Sequence, residues 1–482
     1  MGGNQQFLTG EFFGTWQAWD GIRALDYLLT RPEVDPQRVG ITGNSGGGTL
    51  TTWLAALDSR WTMAAPSCFV TTIRRNLENE LPADTEQCPP HALALGLDHA
   101  DFLAALAPKP ITLLSQERDY FDVRGAIQAK ERLQHLYRLL EVSPELVQHY
   151  IGPEGHGFHQ GAREAMYASF MKTAGLSGSA AEPPFQPEKD EALWCTPRGQ
   201  VSELNSRTIS SFTREMAEQL AKSRSALKGA DLKQAVTEIL KLPTRKETVP
   251  FRILRPRRTP DYPYPRTSDY LLETEPGLLV NVYRNSTEGI NSRPPRQVNR
   301  AILYVAHDSI DAELKSETFL REICKAEPNA TLYALDVRGL GESKPNTCGE
   351  NSYDTAYGCD YFYAIHSLML DRPYVGQRTH DVLSVLDWLR EAGHTDVHLT
   401  ARGYGAIPAT YAALLHDSVA QVTLKNALIS YQSVVAEDIY RWPLSSLTPD
   451  VLQKFDLPDV YRELKTKKLR QIEPWDAQRH SG

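Results

Sequence analysis

One short stretch, residues 38–57, constrains this chain more than any other. A small apolar run at 38–42 passes into a glycine turn and then into a helical run at 49–57. The turn reads Gly43-Asn44-Ser45-Gly46-Gly47, which fits the pattern G-x-S-x-G. A strand that becomes a helix within so few residues lifts the residue at the apex above the sheet edge, and flanking glycines let the neighbouring backbones approach. Ser45 stands at that apex as the candidate nucleophile. The amide of Gly46, at the helix start, can donate to an oxyanion. Glycine turns open many helices, so the rest of the chain must supply a base and an acid.

A serine hydroxyl is inert near neutral pH unless a base takes its proton, and the base needs a carboxylate to fix its tautomer. Strand-like runs at 63–70, 111–116 and 147–151 alternate with helical patterns at 125–140 and 162–171. This alternation predicts a parallel sheet with crossover helices. In such a sheet nucleophile, acid and base follow in that chain order, each beyond the carboxyl end of a successive strand. Asp119 follows the run at 111–116, and His156 follows the run at 147–151. Asp122 competes with Asp119. His159 ranks below His156 because it sits at the start of the next helix. His156 and His159 could suggest a metal, but the spacing offers no third ligand. No metal and no organic cofactor are expected.

With these positions in place, residues 13–172 resemble the bacterial α/β-hydrolases of the acetyl xylan esterase-like (carbohydrate esterase-like) group. The stretches WDGIRALDYLLTRPEVDPQRVGITGNSGGG, LAALDSRWTMAAPSCFVTT, GLDHADFLAALAPKPITLLSQERDYFDVRGA and GPEGHGFHQGAREAMYASF carry the likeness. The resemblance implies Ser45 as nucleophile, Asp119 as acid and His156 as base. It implies deacylation of small acyl esters, on a small molecule or a polysaccharide. It also puts Asn44 and the loop 84–87, with Glu86, where substrate binds. The group has further strands and a second oxyanion donor ahead of the position of residue 1. The start of the chain therefore reads as truncated, which leaves a secreted or periplasmic home open. An exposed sheet edge in the first module should then be covered by the second module, the connector helices, or another chain, whether a partner or a second copy.

The two ends of the sequence resemble each other. Asp20 and Asp26 lie six apart, as do Asp381 and Asp387, and each pair precedes a strand and a glycine turn. Asp101 leads through a strand to Asp119, and Asp459 through a strand to Asp476. Four features in one order predict two copies of one fold. In the second copy the elbow position reads Ala401-Arg402-Gly403-Tyr404-Gly405, so Gly403 stands where a nucleophile would be. Asp476 takes the acid position, and His480 follows too closely to come from a further strand. The segment from Asp336 to Ser343 is a turn marker of the fold. The expected fold class is thus α/β, with two α/β-hydrolase-type modules, the first lacking its N-terminal strands. A catalytic module spans 1–179, a Pro-rich linker and helical connector 180–247, and a degenerate module 248–482.

Composition narrows the partners. A net charge of −8 and a pI near 5.9 argue against nucleic acid or an anionic membrane as partner. No apolar run approaches the ~18–20 residues of a membrane helix. Six cysteines show no metal-ligand spacing, although Cys348 and Cys359 could close a short loop in an oxidising compartment. The leading expectation is a serine carboxylesterase. Its rivals are a prolyl-oligopeptidase-like serine peptidase, for which no propeller-like repeat is visible, and a non-catalytic pseudo-hydrolase scaffold.

Overall fold

The computed structural model describes residues 2–81, 83–245, 248–296, 300–345 and 358–480. Two compact units make up the chain: a first unit, Phe12–Thr208, and a second, Met1–Glu11 with Ile209–Gly482. These bounds differ from the expected 1–179, 180–247 and 248–482. The helix Gly2–Gln6 is docked in the second unit, where the Gln5 amide donates to the carbonyls of Val434 (2.8 Å) and Glu437 (2.6 Å). The expected connector helices, Ile209–Ser223 and Gly229–Leu240, likewise lie in the second unit, burying Ala217, Leu232 and Val236. Cys348 and the Cys359 side chain fall outside the described residues. No helix among those described is long and apolar enough to cross a membrane.

In the first unit, β1 (Gly40–Asn44), β2 (Met63–Ser67), β3 (Ile111–Arg118) and β4 (Val147–Gly155) pair in chain order, all parallel. Parallel neighbours need long crossovers. Helix Gly46–Leu57 joins β1 to β2, and Val123–Leu139 joins β3 to β4. Every residue of β2 is buried, as expected of a strand covered on both faces. Trp53, Leu103, Leu113, Leu133 and Tyr137 form the core. The helix Phe13–Leu28 buries Ala18 and Leu25, while Trp19 and Leu28 are exposed. The expected strand 63–70 stops early because Cys68 takes a left-handed φ of 51°. The expected strand 147–151 runs on to Gly155, which pairs with Arg118.

The second unit holds a nine-stranded sheet. β5 (Phe251–Ile253), β6 (Arg257–Arg258), β7 (Arg266–Glu275) and β8 (Leu278–Ser286) form its antiparallel side. β9 (Ala301–Val305), β10 (Thr331–Asp336), β11 (Val397–Arg402), β12 (Val419–Lys425) and β13 (Arg470–Ile472) form its parallel side, in the order β10-β9-β11-β12-β13.

The repeated aspartates do matching jobs in the two units. Asp26 accepts from Arg60 (2.6 Å) and Asp387 from His416 (3.1 Å), each tying the helix before the elbow strand to the turn after the elbow helix. Asp98 and Asp456 each cap a helix whose third residue is the repeated aspartate, Asp101 or Asp459. The same two caps also accept the amides of Ile73 (2.9 Å) and Tyr431 (2.7 Å), at the start of a neighbouring helix. A carboxylate that satisfies two helix N-termini pairs donors that would otherwise be left without an intrahelical partner.

Candidate active site

The turn from β1 into helix Gly46–Leu57 puts Ser45 at φ 57°, ψ −116°, a conformation costly for any residue with a side chain. The Ser45 amide donates to the Ser67 carbonyl (2.9 Å), and the Ser45 carbonyl accepts from Thr49 (2.9 Å), which hold the strained residue from both sides. A Cβ on Gly43 would lie 2.5 Å from the Gly47 carbonyl oxygen, and one on Gly48 would lie 2.3 Å from the Ser67 carbonyl oxygen. At Gly46 and Gly47 a Cβ would meet nothing within 4 Å. Steric need therefore falls on Gly43 and Gly48, not on both glycines flanking the motif. The Asn44 side chain faces Ser67, whose hydroxyl donates to Asn44 Oδ1 (3.0 Å).

Asp119 and His156 each lie one residue past the paired positions Arg118 and Gly155, so the register of β3 against β4 brings the two side chains together. His156 Nδ1 is 2.9 Å from Asp119 Oδ1 and 3.1 Å from Oδ2. The carboxylate is almost fully buried and also accepts from the Phe121 amide (3.1 Å), while the imidazole is about a quarter exposed (23%). A carboxylate held in this way fixes the proton on Nδ1 and leaves Nε2 as the basic nitrogen.

The two competitors are engaged elsewhere. Asp122 caps helix Val123–Leu139 through the Arg124 amide (2.8 Å) and pairs with the Arg124 guanidinium, which holds its carboxyl below the usual range. His159 Nε2 lies 3.2 Å from the Gly155 carbonyl oxygen.

Two neighbours of the dyad went unread in the sequence. Tyr120 stacks on His156. Burial is the main cause that raises the Tyr120 phenol above its ordinary pKa. Its place next to Asp119 was the available signal. Cys68, just past β2, brings its Sγ within 4.8 Å of the dyad's donor atoms. No spacing rule would have singled it out.

The loop 84–87 is anchored to the elbow helix. The Glu86 carbonyl accepts from Trp53 Nε1 (3.0 Å), and Gln87 Nε2 donates to Thr49 Oγ1 (3.3 Å). Burial raises the Glu86 carboxyl above its ordinary range.

Residues 11–89 match the prolyl oligopeptidase family. YtaP of Bacillus subtilis (strain 168), named as a hydrolase, is 38% identical over 64 residues, 13% of this chain and 21% of that protein. The carbohydrate esterase MZ0003, from an unknown prokaryotic organism, is 26% identical over 147 residues, 27% of this chain and 34% of that protein. The chain thus spans about a fifth and a third of the curated relatives it matches. A solved structure described as an acetyl xylan esterase from Bacteroides fragilis NCTC 9343 shares 16% identity at a TM-score of 0.42, covering 56% of this chain and 76% of that one. The strand–elbow–helix at Ser45, with the carboxylate and histidine beyond later parallel strands, gives the first unit an α/β-hydrolase-type fold, and parts of its sequence are similar to the prolyl oligopeptidase family and to a carbohydrate esterase.

Proposed function

We propose that the first unit hydrolyses carboxylic esters through Ser45, His156 and Asp119. The observation that carries this reading is the short Asp119–His156 contact, set by strand register on the same parallel sheet as a strained serine elbow. Ser45 Oγ attacks the ester carbonyl while His156 Nε2 takes its proton. Asp119 holds the imidazole and stabilises the charge that forms on it. The Gly46 amide donates to the developing oxyanion. His156 returns the proton to the leaving alcohol, then activates the water that releases the acid. Asn44 and Glu86 border the substrate. The carbohydrate esterase named among the relatives supports an ester of a sugar or polysaccharide as substrate, and we take its acyl group to be small.

The match to the prolyl oligopeptidase family favours one second reading, a serine peptidase with the same triad. Turnover of p-nitrophenyl acetate against a prolyl-peptide p-nitroanilide separates the two. Ester turnover lost in Ser45→Ala supports the esterase. Peptide cleavage without ester turnover supports the peptidase. Neither activity would leave the pseudo-hydrolase scaffold.

We read the second unit as a hydrolase-type frame that has lost its nucleophile. Gly403, at φ 49°, takes the elbow position after β11. The Tyr404 amide, which follows it as Gly46 follows Ser45, donates to His307 Nδ1 (3.0 Å). A Cβ on Gly403 would come 2.1 Å from that same nitrogen. Burial, with Arg402 and Arg479 nearby, pushes the His307 pKa down to about 3, which keeps the accepting ring neutral. One imidazole thus fills the nucleophile's place and occupies the amide beside it.

A further inference from the structure

Cys68 has no part in the reaction proposed above, yet its thiol is buried beside the dyad. The backbone aims it there. Its amide donates to the Leu114 carbonyl (2.9 Å) and its φ of 51° turns the side chain off the line of β2. Sγ lies 3.4 Å from the Gly157 carbonyl oxygen, on the loop that carries His156. One donor atom from each of Cys68, Asp119 and His156 lies within 4.8 Å of the other two. Thiolate, imidazole and carboxylate are the donors that Zn²⁺ selects, at roughly 2.0–2.3 Å from the ion. Donors around a tetrahedral ion of that size sit roughly 3.3–3.8 Å apart, so the separations to Cys68 need close by at most about 1 Å, while the Asp119–His156 pair opens slightly.

The geometry points to a capture site for a thiophilic divalent cation of the Zn²⁺ class, made by Cys68 Sγ, an Asp119 carboxylate oxygen and His156 Nδ1, that switches the triad off. The ion takes the Nδ1 lone pair, so the imidazole proton moves from Nδ1 to Nε2. The Cys68 S–H proton leaves to solvent, and water fills the fourth position. A protonated Nε2 cannot accept the proton of Ser45. Asp119 is drawn to the metal and no longer holds the productive tautomer. A thiol is protonated near neutral pH, so binding releases about one proton per ion. The two-histidine spacing of His156 and His159 is not the ligand set. The partners of His156 come from β2 and β3, which only the folded sheet brings near. The inhibitory consequence rests on the esterase reading, whereas the ion site itself does not.

The test uses the whole chain carrying Cys195→Ser, which removes the exposed thiol among the described cysteines. Co²⁺ is the probe, read by its thiolate-to-metal charge-transfer absorption, with Zn²⁺ as competitor. The parent is expected to show the band and lose it to Zn²⁺, and a folded Cys68→Ser variant is expected to show none. In p-nitrophenyl acetate turnover, Zn²⁺ should inhibit the parent and a chelator should restore it. The Cys68→Ser variant should keep its turnover and need at least about tenfold more Zn²⁺ for half-inhibition. No band in the parent, or an equal band and equal Zn²⁺ sensitivity in Cys68→Ser, overturns the proposal. A Cys68-dependent band in a protein that turns over no ester sinks the esterase reading and leaves the ion site standing.

Discussion

Tyr120 lies flat against His156, ring centroids 4.3 Å apart and planes 25° from parallel. A ring held on one face restricts the swing of the imidazole without touching its nitrogens. Tyr120→Ala is expected to lower kcat about three- to tenfold, the rate equivalent of losing an aromatic contact of about 0.5–1.5 kcal/mol. Tyr120→Phe keeps the stack and should cost less. Equal losses in steady-state assays of the two variants would show that the hydroxyl, not the ring, is what matters.

The acid assignment separates two nearby carboxylates. Asp119→Asn should lower kcat by a factor on the order of 10⁴, the scale seen when a triad loses its carboxylate. Asp122→Ala should leave the rate near the parent's and cost about 1 kcal/mol of stability, because its structural job is an N-cap. Rate and denaturant midpoint measured on both variants check this, and a reversed pattern overturns the choice.

The elbow glycines differ in what surrounds them. Gly43→Ala and Gly48→Ala each push a Cβ against backbone carbonyl atoms, so both should lose activity and fold poorly. Gly47→Ala meets open space and should fold and turn over substrate. Thermal melts and ester turnover on the three variants give the comparison, and a damaging Gly47→Ala would mean that substrate, not packing, needs that position bare.

Adding a hydroxyl should not awaken the second unit. In Gly403→Ser the new Cβ collides with His307, at an expected cost of about 1–3 kcal/mol. No ester turnover should appear when this change is made on top of Ser45→Ala. Turnover restored in that double variant would refute the degenerate reading.

His149 offers a pH test. Burial pushes its pKa down to about 4, and its Nε2 lies 2.9 Å from Ser115 Oγ. The unfolded chain protonates this histidine near its ordinary value of ~6.5, before the folded chain does. Stability is therefore intact above that value and falls as pH drops from ~6.5 toward 4. His149→Gln should flatten the slope of unfolding free energy over that window, read from urea titrations at several pH values. An unchanged slope would show that other groups carry the acid sensitivity.

Much of this protein could be read locally. The elbow was legible because a strand, a bare turn and a helix leave a signature within twenty residues. Asp119 and His156 were legible because each follows an apolar run directly. The paired aspartates were legible because residues at caps and helix ties keep their spacing. Tertiary structure decided the rest, because pairing between strands distant in sequence leaves no periodic trace. The register of Arg118 against Gly155 sets the dyad's distance. The left-handed turn at Cys68 puts a thiol beside it. Gly43 and Gly48 carry the elbow's steric demand because neighbouring backbone, not motif position, sets it. Packing, too, assigned residues 2–11 and both expected connector helices to the second unit, since buried apolar faces find their partners by shape and not by order along the chain.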